Sequence, residues 1–467
     1  MISLRHTSLL ALCVAGLFAL SAWLGTVPAQ AQPTLAEKGQ DHHDGFFYSF
    51  WHDEELDEGS DVSFSLLEDG RYQSEWTLAS GENWVGGKGW ETGTDRTVRY
   101  EGTYDIGPEE NSYLALYGWM RGDRFSDRLI EYYIIESYGS YNPANCGEES
   151  ASRGSLGTFR SDGATYEIVH CKREDQPSIE GERTFDQYYS VRQPKKGFGR
   201  ISGTITTGNH FDEWREAGLP LGDEHDYQIM ATEGYESTGR SDITVAEVVF
   251  DARSPFSSSE PTAEEQDVLE IIVRPQATEA WRGQDACYEE AFEVIDRATG
   301  AFTASNAEQQ AFLYRFCDLS RMTARHGIAI LEDSRVVFHT AYETLREHAV
   351  RAGPDINDNG RDELITVSSA LSGGHSQRII NIMSLSADDV QPVGSLRVHE
   401  SNCGTLSDDK QETAHQISVS GSEEPQFYKR SFRSPCEANE WTLAQDTEPA
   451  SPGSVSPEFR VLETRAR

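Results

Sequence analysis

Two glutamates stand in strand-like segments that are rich in aromatic residues. Side chains at positions i and i+2 of a β-strand share one face, so Glu131 and Tyr133 point the same way. By the same rule, Glu233 shares a face with Tyr227. A third segment, 111–119, places three aromatic residues on one face: Tyr113, Tyr117 and Trp119. The pattern predicts two carboxyls among aromatic rings.

Carboxyls and aromatic rings suit chemistry on a sugar polymer. Aromatic faces stack on sugar rings, and cleavage of a glycosidic bond needs two opposed carboxyls. At a separation of about 5–5.5 Å, one carboxylate can attack the anomeric carbon while the other protonates the leaving oxygen. Like charges that close cannot both ionise easily, so the less solvated carboxyl is expected to hold its proton.

The residues around these glutamates predict the sheets that would position them. From about 45 to 250, short alternating stretches rich in Tyr, Trp, Thr and Val are broken by Gly and Asp. Examples are 97–104, 165–170 and 199–206. This patterning is typical of antiparallel sheet, and so many strands predict an all-β sandwich or jelly roll. One helix is predicted at 210–217, before Gly218.

Collinear motifs in this half resemble glycoside hydrolase family 11, the small jelly-roll endo-1,4-β-xylanases. The matching stretches, in the family's order and at close to its spacing, are 48–51, 80–90, 116–119, 131–136, 176–179, 187–193, 209–211 and 233–237. The resemblance implies a sandwich shaped like a half-closed hand, with a thumb loop at 176–179 over the cleft. It also implies xylan as the substrate and no cofactor for catalysis.

The resemblance assigns roles to individual residues. Glu131 matches the nucleophile of a retaining double displacement, and Glu233 matches the proton donor, or general acid/base. The implied substrate contacts are Trp51, Asn83, Tyr113, Tyr117, Tyr133, Arg173, Pro177, Ser178, Ile179, Gln187 and Tyr227. Acid-adapted members carry Asp at the position of Asn83, so neutral Asn predicts activity near neutral pH. Tyr189 departs from the family, where Trp is usual, and is expected to change packing only.

Most other carboxylates are expected to be solvated surface groups. Asp and Glu number 78 against 40 Lys and Arg, a formal net charge of −38. Glu136, Glu182 and Glu236 are therefore expected to be non-catalytic surface charges. The acidic excess argues against nucleic acid and anionic membranes as partners, because phosphate binding depends on Lys and Arg. A soluble monomer is expected.

The N-terminus and the cysteines predict export. An apolar run follows Arg5 and ends in a small-x-small pattern before Gln32, which favours a signal peptide over 1–31 rather than a membrane anchor. The protein is therefore expected to be secreted and extracellular. Beyond Cys13 an even number of cysteines remains, which favours disulfides over free thiols. Of 15 possible pairings, chain order suggests Cys146–Cys171, Cys287–Cys317 and Cys403–Cys436.

The second half has a different composition and is predicted to be a separate α+β domain. The predicted divisions are a linker at 32–44, the catalytic jelly roll at 45–250, a linker at 251–266, a domain of unassigned function at 267–446 and a flexible tail at 447–467. Helical spacing predicts helices at 286–295 and 305–325, with Ser305 and Glu308 as a capping box. Cys287 and Cys317 would join these helices.

One loop of the second half has the pattern of a calcium site. Oxygen-bearing side chains at alternating positions precede and follow Gly360, as in calcium loops. The loop is similar to those of FG-GAP-like repeats, and its predicted ligands are Asp355, Asn357, Asn359 and Glu363. A plain Asn/Asp/Gly turn explains the same pattern, so structural calcium and a simple turn both stay open.

The sequence thus predicts a secreted endo-1,4-β-xylanase that hydrolyses internal bonds of xylan with retention. A non-catalytic binding module with the same fold is one alternative, and it predicts loss of a catalytic Glu. A second alternative places the main activity in 267–446, with the jelly roll as a xylan anchor.

Overall fold

The computed structural model describes most of the chain between residues 34 and 462. The described residues are 34–35, 38–122, 127–146, 151–222, 224–254, 261–284, 287–289, 292–305, 307–357, 359–406, 409–420, 425–453 and 459–462. The predicted signal peptide, 1–31, lies outside them. Within these ranges, no helix combines the length and apolar character needed to cross a bilayer.

The first half is built almost entirely from strands. They are β1 (Thr34–Leu35), β2 (Gly39–His43), β3 (Phe46–His52), β4 (Asp61–Leu66), β5 (Arg71–Thr77), β6 (Asn83–Trp90), β7 (Thr97–Ile106), β8 (Ser112–Arg121), β9 (Leu129–Tyr138), β10 (Ala151–Ser161), β11 (Ala164–Ser178), β12 (Gly181–Gln193), β13 (Gly199–Thr206), β14 (Glu224–Tyr235) and β15 (Thr238–Asp251). A 3-10 turn spans Pro143–Asn145, and helix α1 spans Thr207–Glu216. The predicted strands at 97–104, 165–170 and 199–206 and the helix at 210–217 are confirmed.

A nine-stranded sheet forms one layer of this half. Its strand order is β10-β11-β12-β9-β8-β14-β6-β3-β2, and its pairs are antiparallel except β12 with β9. The second layer contains β4, β5, β15, β7 and β13. Trp76, Trp84, Tyr100 and Trp214 are fully buried between the layers, with Trp214 supplied by α1. The predicted all-β sandwich is therefore confirmed.

The alternation along β9 determines where the chemistry can lie. Ile130 and Tyr132 point into the core between the layers, whereas Leu129, Tyr133 and Ile135 join a second apolar cluster on the opposite face. Glu131 lies on that second face because it alternates with Ile130 and Tyr132. The period-two prediction for this segment is confirmed.

The second half is also mainly strand. Its elements are α2 (Ala263–Ile272), α3 (Arg274–Ala280), β16 (Glu293–Gly300), β17 (Gln309–Asp318), β18 (Thr323–Glu332), β19 (Arg335–Leu345), β20 (Glu347–Ala352), β21 (Leu364–Ser372), β22 (His375–Leu385), β23 (Val390–Ser401), β24 (Gln411–Ser420), β25 (Gln426–Pro435), β26 (Thr442–Ala450) and β27 (Arg460–Val461). Strands β16, β17, β18, β19 and β27 form a five-stranded sheet.

The helices predicted at 286–295 and 305–325 are wrong. Among the described residues, the end of the first segment belongs to β16, which begins at Glu293, and most of the second belongs to β17 and β18. Strand β17 is buried on both faces: Leu313 enters one core, and Phe312 and Tyr314 enter another. An apolar run without polar alternation cannot be told from a buried helix by its periodicity. The helices that do form, α2 and α3, lie earlier, and the capping box is made by Thr262 and Glu265. They pack on the five-stranded sheet.

The two halves share a sheet. The end of β15 pairs with β24, which places Glu247 opposite Val419 and Asp251 opposite Gln416. Through β24 the outer layer continues into β23, β22, β21 and β20. Strand β26 lies partly in the predicted tail, and there Thr447 accepts a hydrogen bond from Nη1 of Arg99 over 2.8 Å. The second half is therefore joined to the first by main-chain pairing as well as by side chains.

The three disulfides expected from chain order are confirmed. Cys146 pairs with Cys171, Cys287 with Cys317 and Cys403 with Cys436. The first ties β11 to the loop that follows β9. The second joins β17 to the segment before β16, so it connects a strand and a loop rather than two helices.

Candidate active site

The two glutamates lie on neighbouring strands of the nine-stranded sheet. Strands β12, β9, β8 and β14 are adjacent in that order. Their register sets Glu131 of β9 beside Gln187 of β12 and opposite Trp119 of β8. On the other side of β8, Glu233 of β14 lies opposite Tyr113. One strand therefore separates the two carboxyls, and Glu131 and Glu233 belong to the same face of the sheet, which we call the catalytic face.

Glu131 is a buried carboxylate surrounded by hydrogen-bond donors. Its side chain is only 6% exposed. Oε1 accepts hydrogen bonds from the hydroxyls of Tyr117 at 2.9 Å and Tyr133 at 3.1 Å, and Oε2 accepts one from Nε2 of Gln187 at 2.6 Å. Burial raises the pKa of Glu131, while these donors and the charge of Arg173 act in the opposite direction. The donors stabilise the ionised form, which a nucleophile needs.

Glu233 is equally buried, but its hydrogen bonds are longer. Oε1 accepts a hydrogen bond from Nδ2 of Asn83, and Oε2 accepts one from Tyr133, each at 3.3 Å. Burial is the main cause that raises the pKa of Glu233 to about 7, and the negative charge of Glu131 adds to it. Hydrogen bonds from Tyr113, Asn83 and Tyr133 offset part of this rise. Glu233 is thus the carboxyl that holds a proton near neutral pH.

One tyrosine hydroxyl limits the distance between the two carboxyls. Oη of Tyr133 lies 3.1 Å from Glu131 Oε1 and 3.3 Å from Glu233 Oε2. These two oxygens can be no farther apart than the sum of the two distances. One hydroxyl therefore bridges both carboxyls and places them at a single site.

Stacked tyrosines fix the orientation of the hydroxyls. The rings of Tyr117 and Tyr133 stack with their centroids 4.7 Å apart. Tyr189 stacks on the other side of Tyr133, with a centroid separation of 5.3 Å. Tyr227 contacts Tyr117 at 5.8 Å, and Trp119 donates a hydrogen bond from Nε1 to the Tyr117 hydroxyl at 2.7 Å. The sequence predicts Trp119 on this face without a role and packing alone for Tyr189. The ring stack shows that both orient catalytic-face tyrosines.

The predicted thumb is the hairpin of β11 and β12. Ser178 pairs with Gly181 at its tip, and the Ser178 hydroxyl donates to the carbonyl of Gly181 at 2.6 Å. Pro177 pairs with Glu182 on the stem, and Ile179 packs against the apolar cluster of the catalytic face. The thumb therefore lies over the same face as the two glutamates.

Two further predicted contacts lie nearer the edges of the face. Arg173, at the base of the thumb, donates from Nη2 to Oε1 of Gln176 at 3.1 Å, and its charge acts on Glu131. Trp51 lies on β3 opposite Val85 and is half-buried. The alternation of β3 puts Trp51 on the face of Phe47, which belongs to the catalytic-face cluster. An accessible indole there can stack on a sugar ring.

Asn83 is positioned by its backbone contacts with Asp53. Its backbone N–H donates to Oδ2 of Asp53 at 2.6 Å, and its carbonyl accepts from the N–H of Asp53 at 3.1 Å. The preceding residue, Glu82, is 6% exposed and accepts from Ala79 N–H at 2.7 Å. Asn83 Oδ1 is buried without a hydrogen-bond partner among the described residues. No local pattern identifies Asp53, because its contact spans 30 residues.

The surface position expected for Glu136 is wrong, although Glu136 does lie on the face of β9 opposite Glu131, as strand alternation predicts. Glu136 is 1% exposed and lies between the layers, where it accepts hydrogen bonds from the hydroxyls of Tyr100 and Tyr166. Arg192 lies 3.6 Å from its carboxylate. This buried cluster ties β9 to both layers, so Glu136 is structural, as its position on the non-catalytic face requires. The solvated positions expected for Glu182 and Glu236 are confirmed.

The calcium prediction is not supported by the loop at 355–363. Both oxygens of Asp355 accept backbone hydrogen bonds, from Asn359 at 3.1 Å and Gly360 at 2.6 Å. Glu363 accepts from Nδ2 of Asn357 at 2.7 Å and from the N–H of Ile356 at 2.9 Å. Within the described residues, no cluster of three or more His, Cys, Asp or Glu side chains could hold a metal. The loop closes on its own donors, as an Asx-type turn does.

Comparison with known proteins places the first half in a defined group. Residues 43–244 match the family model described as Glycosyl hydrolases family 11. A bifunctional xylanase/xylan deacetylase of Cellvibrio japonicus is 52% identical over 225 residues, covering 48% of this chain and 32% of that protein. Endo-1,4-beta-xylanase Xyn11B of the same organism is 52% identical over 230 residues, covering 49% of this chain and 60% of that protein.

A third relative is matched over most of its length. Endo-1,4-beta-xylanase of Phaedon cochleariae is 50% identical over 205 residues, which cover 44% of this chain and 87% of that protein. The chain spans 32% and 60% of the length of the two Cellvibrio proteins. The matched 43–244 segment contains both glutamates and the thumb.

Proposed function

The chain belongs to glycosyl hydrolases family 11, and on that premise we propose that it is an endo-1,4-β-xylanase that cleaves internal bonds of xylan with net retention. The observation that carries the proposal is the hydroxyl of Tyr133, which hydrogen-bonds both Glu131 and Glu233. Burial raises the pKa of both carboxyls, to about 7 for Glu233, whereas short hydrogen bonds and the charge of Arg173 favour the ionised form of Glu131. These are the properties of an acid and a nucleophile.

In the first step, ionised Glu131 attacks the anomeric carbon. The carbon–oxygen bond to the leaving sugar breaks as Glu233 gives its proton to the departing oxygen. The products are a shortened polymer and a covalent glycosyl–Glu131 ester. Tyr117, Tyr133 and Gln187 fix the carboxylate for attack, and no cofactor enters this scheme.

In the second step, Glu233 acts as the base. Once Glu131 is esterified, its negative charge is gone, and one cause of the raised Glu233 pKa disappears. Glu233, now ionised, takes a proton from water as the water oxygen attacks the anomeric carbon and Glu131 leaves. The sugar keeps its β configuration, and both carboxyls return to their starting states.

Trp51, Asn83, Arg173, Pro177, Ser178, Ile179 and Tyr227 complete the proposed substrate contacts. Trp51 would stack a xylose ring, and the thumb tip would close over the chain. The unpartnered Oδ1 of Asn83 is free to accept a hydrogen bond from substrate or water.

We also propose that the protein is exported and works outside the cell. Three disulfides are typical of oxidising compartments and support this. The divisions 45–250 for catalysis and 267–446 for an accessory α+β unit remain part of the proposal, as does a monomeric state. Because β15 and β24 pair, the two units would share one sheet rather than be linked by a free tether.

The experiment is a xylan hydrolysis assay of the full chain beside Glu131→Ala and Glu233→Ala. Each variant is expected to lose several orders of magnitude in kcat, because each removes a group that takes part in bond breaking. Glu75→Ala, an exposed carboxylate on β5, is the matched control and is expected to keep full activity.

The same assay separates the alternatives. A non-catalytic binding module predicts no hydrolysis by the wild-type chain. A main activity within 267–446 predicts that Glu131→Ala retains most of its rate. Either result refutes the proposal.

A further inference from the structure

The second half contains a cavity that the proposed chemistry does not use. Its volume is about 460 Å³, within the range of about 300–1,000 Å³ typical of ligand sites. Four adjacent strands, β21 to β24, form its floor. Across them Ala370 pairs with Gln377, Gln377 with Glu400, and Glu400 with Thr413. This row and the side chains beside it all line the cavity, which we call the C-terminal pocket.

Several polar side chains of the C-terminal pocket have no hydrogen-bond partner among the described residues. The amides of Gln377 and Gln411 and the hydroxyl of Thr413 make no hydrogen bond with any described residue, although backbone groups of these residues pair in the sheet. Asn402 differs, because its Nδ2 donates to the carbonyl of Asp409 at 2.8 Å. The pocket thus combines a fixed frame with uncommitted donors and acceptors.

The rim of the C-terminal pocket is held in place by the chain itself. Gly374 lies in the turn between β21 and β22, close to the loop between β23 and β24. A Cβ added to Gly374 would meet the carbonyl oxygen of Gly404 at 2.4 Å. Both loops are therefore in contact. Cys403, between Asn402 and Gly404, is linked to Cys436. The close approach and the disulfide restrain this part of the rim, which lowers the conformational cost of binding.

The lining chemistry selects the class of ligand. An amide offers donors and acceptors together, as does a hydroxyl, and sugar hydroxyls need both. Met322 supplies an apolar surface at the edge for the C–H face of a ring. The described lining includes no Lys or Arg, the carboxylate of Glu400 is paired with Arg397, and the net charge of −38 disfavours anions, so a neutral ligand is favoured. We propose that the C-terminal pocket binds a neutral saccharide, and that xylan is the polymer it holds.

Only the choice of xylan rests on the proposed function; binding itself does not depend on Glu131 or Glu233. The pocket would anchor the enzyme to its polymer through a surface separate from the catalytic face. Since the shared sheet joins the halves, such an anchor would hold the cleft at a fixed orientation to the polymer.

Met322 gives a local readout for the test. The full chain, carrying Glu131→Gln to prevent turnover, is labelled with ¹³C at its methionine methyls and titrated with xylohexaose. The other described methionines, Met120, Met230 and Met383, are buried, whereas Met322 is exposed. The Met322 signal is assigned by its loss in Met322→Leu. The methyl of Met322 is expected to shift in a saturable manner. Combined Gln377→Ala and Gln411→Ala substitutions are expected to weaken the Kd about tenfold or more, since two hydrogen-bonding groups are lost.

Matched variants keep the test decisive. Gln391→Ala removes an exposed amide elsewhere on β23 and is expected to leave the Kd unchanged. If the double variant unfolds, Ser372→Trp replaces it, because this exposed side chain fills the pocket from the rim. A Met322 methyl that does not shift, a shift unaffected by both pocket variants, or a shift seen only with glucuronic acid overturns the proposal. Loss of xylan hydrolysis in the wild-type chain would instead count against the proposed activity.

Discussion

Replacing Glu131 by Gln is expected to lower the pKa of Glu233. The substitution keeps the size and polarity of the side chain but removes its negative charge. That charge is one cause of the raised pKa of Glu233, which is about 7. The hydroxyl of Tyr133, within 3.1 Å of Glu131 and 3.3 Å of Glu233, limits the separation of the two carboxylates. The variant therefore imitates the charge state of the covalent intermediate.

The size of the effect follows from that separation. Two unit charges about 6 Å apart interact by about 2.8 kcal/mol at an effective dielectric constant of about 20, which corresponds to about 2 pKa units. The pKa of Glu233 is therefore expected to fall toward about 5, by this same estimate of the lost repulsion. Burial, the larger cause, is unchanged and keeps the pKa from falling further.

The assay is a ¹³C NMR titration of carboxyl-labelled glutamate in the full chain. The Glu233 signal is assigned by its absence in Glu233→Gln. Glu75→Gln, on the outer layer, is the control and is expected to leave the titration of Glu233 at about 7. A Glu233 pKa that stays in place or rises in Glu131→Gln would refute the claim that the nucleophile's charge switches the acid into a base.

Three further outcomes are expected. Asn83→Ala removes a hydrogen-bond donor that lowers the pKa of Glu233. The high-pH limb of the kcat/KM profile is therefore expected to move upward by about half a pH unit. A downward move would contradict the role of the 3.3 Å contact between Asn83 Nδ2 and Glu233 Oε1. Burial raises the pKa of Glu347 to about 7, so its contribution to stability is complete below pH 4.5 and is lost as the pH rises through about 7. Glu347→Gln has no carboxyl to ionise and so avoids this loss. The free energy of unfolding of the variant relative to the wild type, measured by chemical denaturation, is expected to be higher at pH 8 than at pH 4.5 by about 3 kcal/mol. An equal difference at both pH values would contradict this prediction. Cys146→Ser with Cys171→Ser opens a cross-link of sequence separation 25 and is expected to lower the free energy of unfolding by about 3 kcal/mol; an unchanged denaturation midpoint would refute this.

The catalytic face could be predicted because its side chains follow a local rule. Alternation along β9 puts Glu131 and Tyr133 on one side, and sequence alone supports that. The distance between Glu131 and Glu233 could not be derived in this way, since it depends on the register of β9, β8 and β14. The resemblance to a known family predicted that Glu131 and Glu233 act together. The register of β9, β8 and β14 explains why they lie at one site.

Positions whose roles depend on distant partners were missed or misjudged. A lone glutamate such as Glu136 is ordinarily expected at the surface, yet Tyr100 and Tyr166 from other strands hydrogen-bond it in the interior. Asp53 holds Asn83 across 30 residues, which no local motif records.

The second half was harder to predict because β17 is buried on both faces. Its Phe312 and Leu313 enter different cores, so the polar alternation that identifies a half-exposed strand is absent. The Asp/Asn-rich loop at 355–363 illustrates the converse difficulty. A turn that satisfies its own backbone donors uses the same residue types as a calcium site.

Covalent trapping tests the central claim most directly. A 2-deoxy-2-fluoro-xylobioside with a good leaving group forms the glycosyl ester but releases it slowly, and mass spectrometry of peptides then locates the sugar. The mechanism predicts one sugar per chain, attached to Glu131, with none in Glu131→Gln. A label on any other residue, or rapid turnover without a trapped ester, would contradict a retaining reaction carried by Glu131 and Glu233.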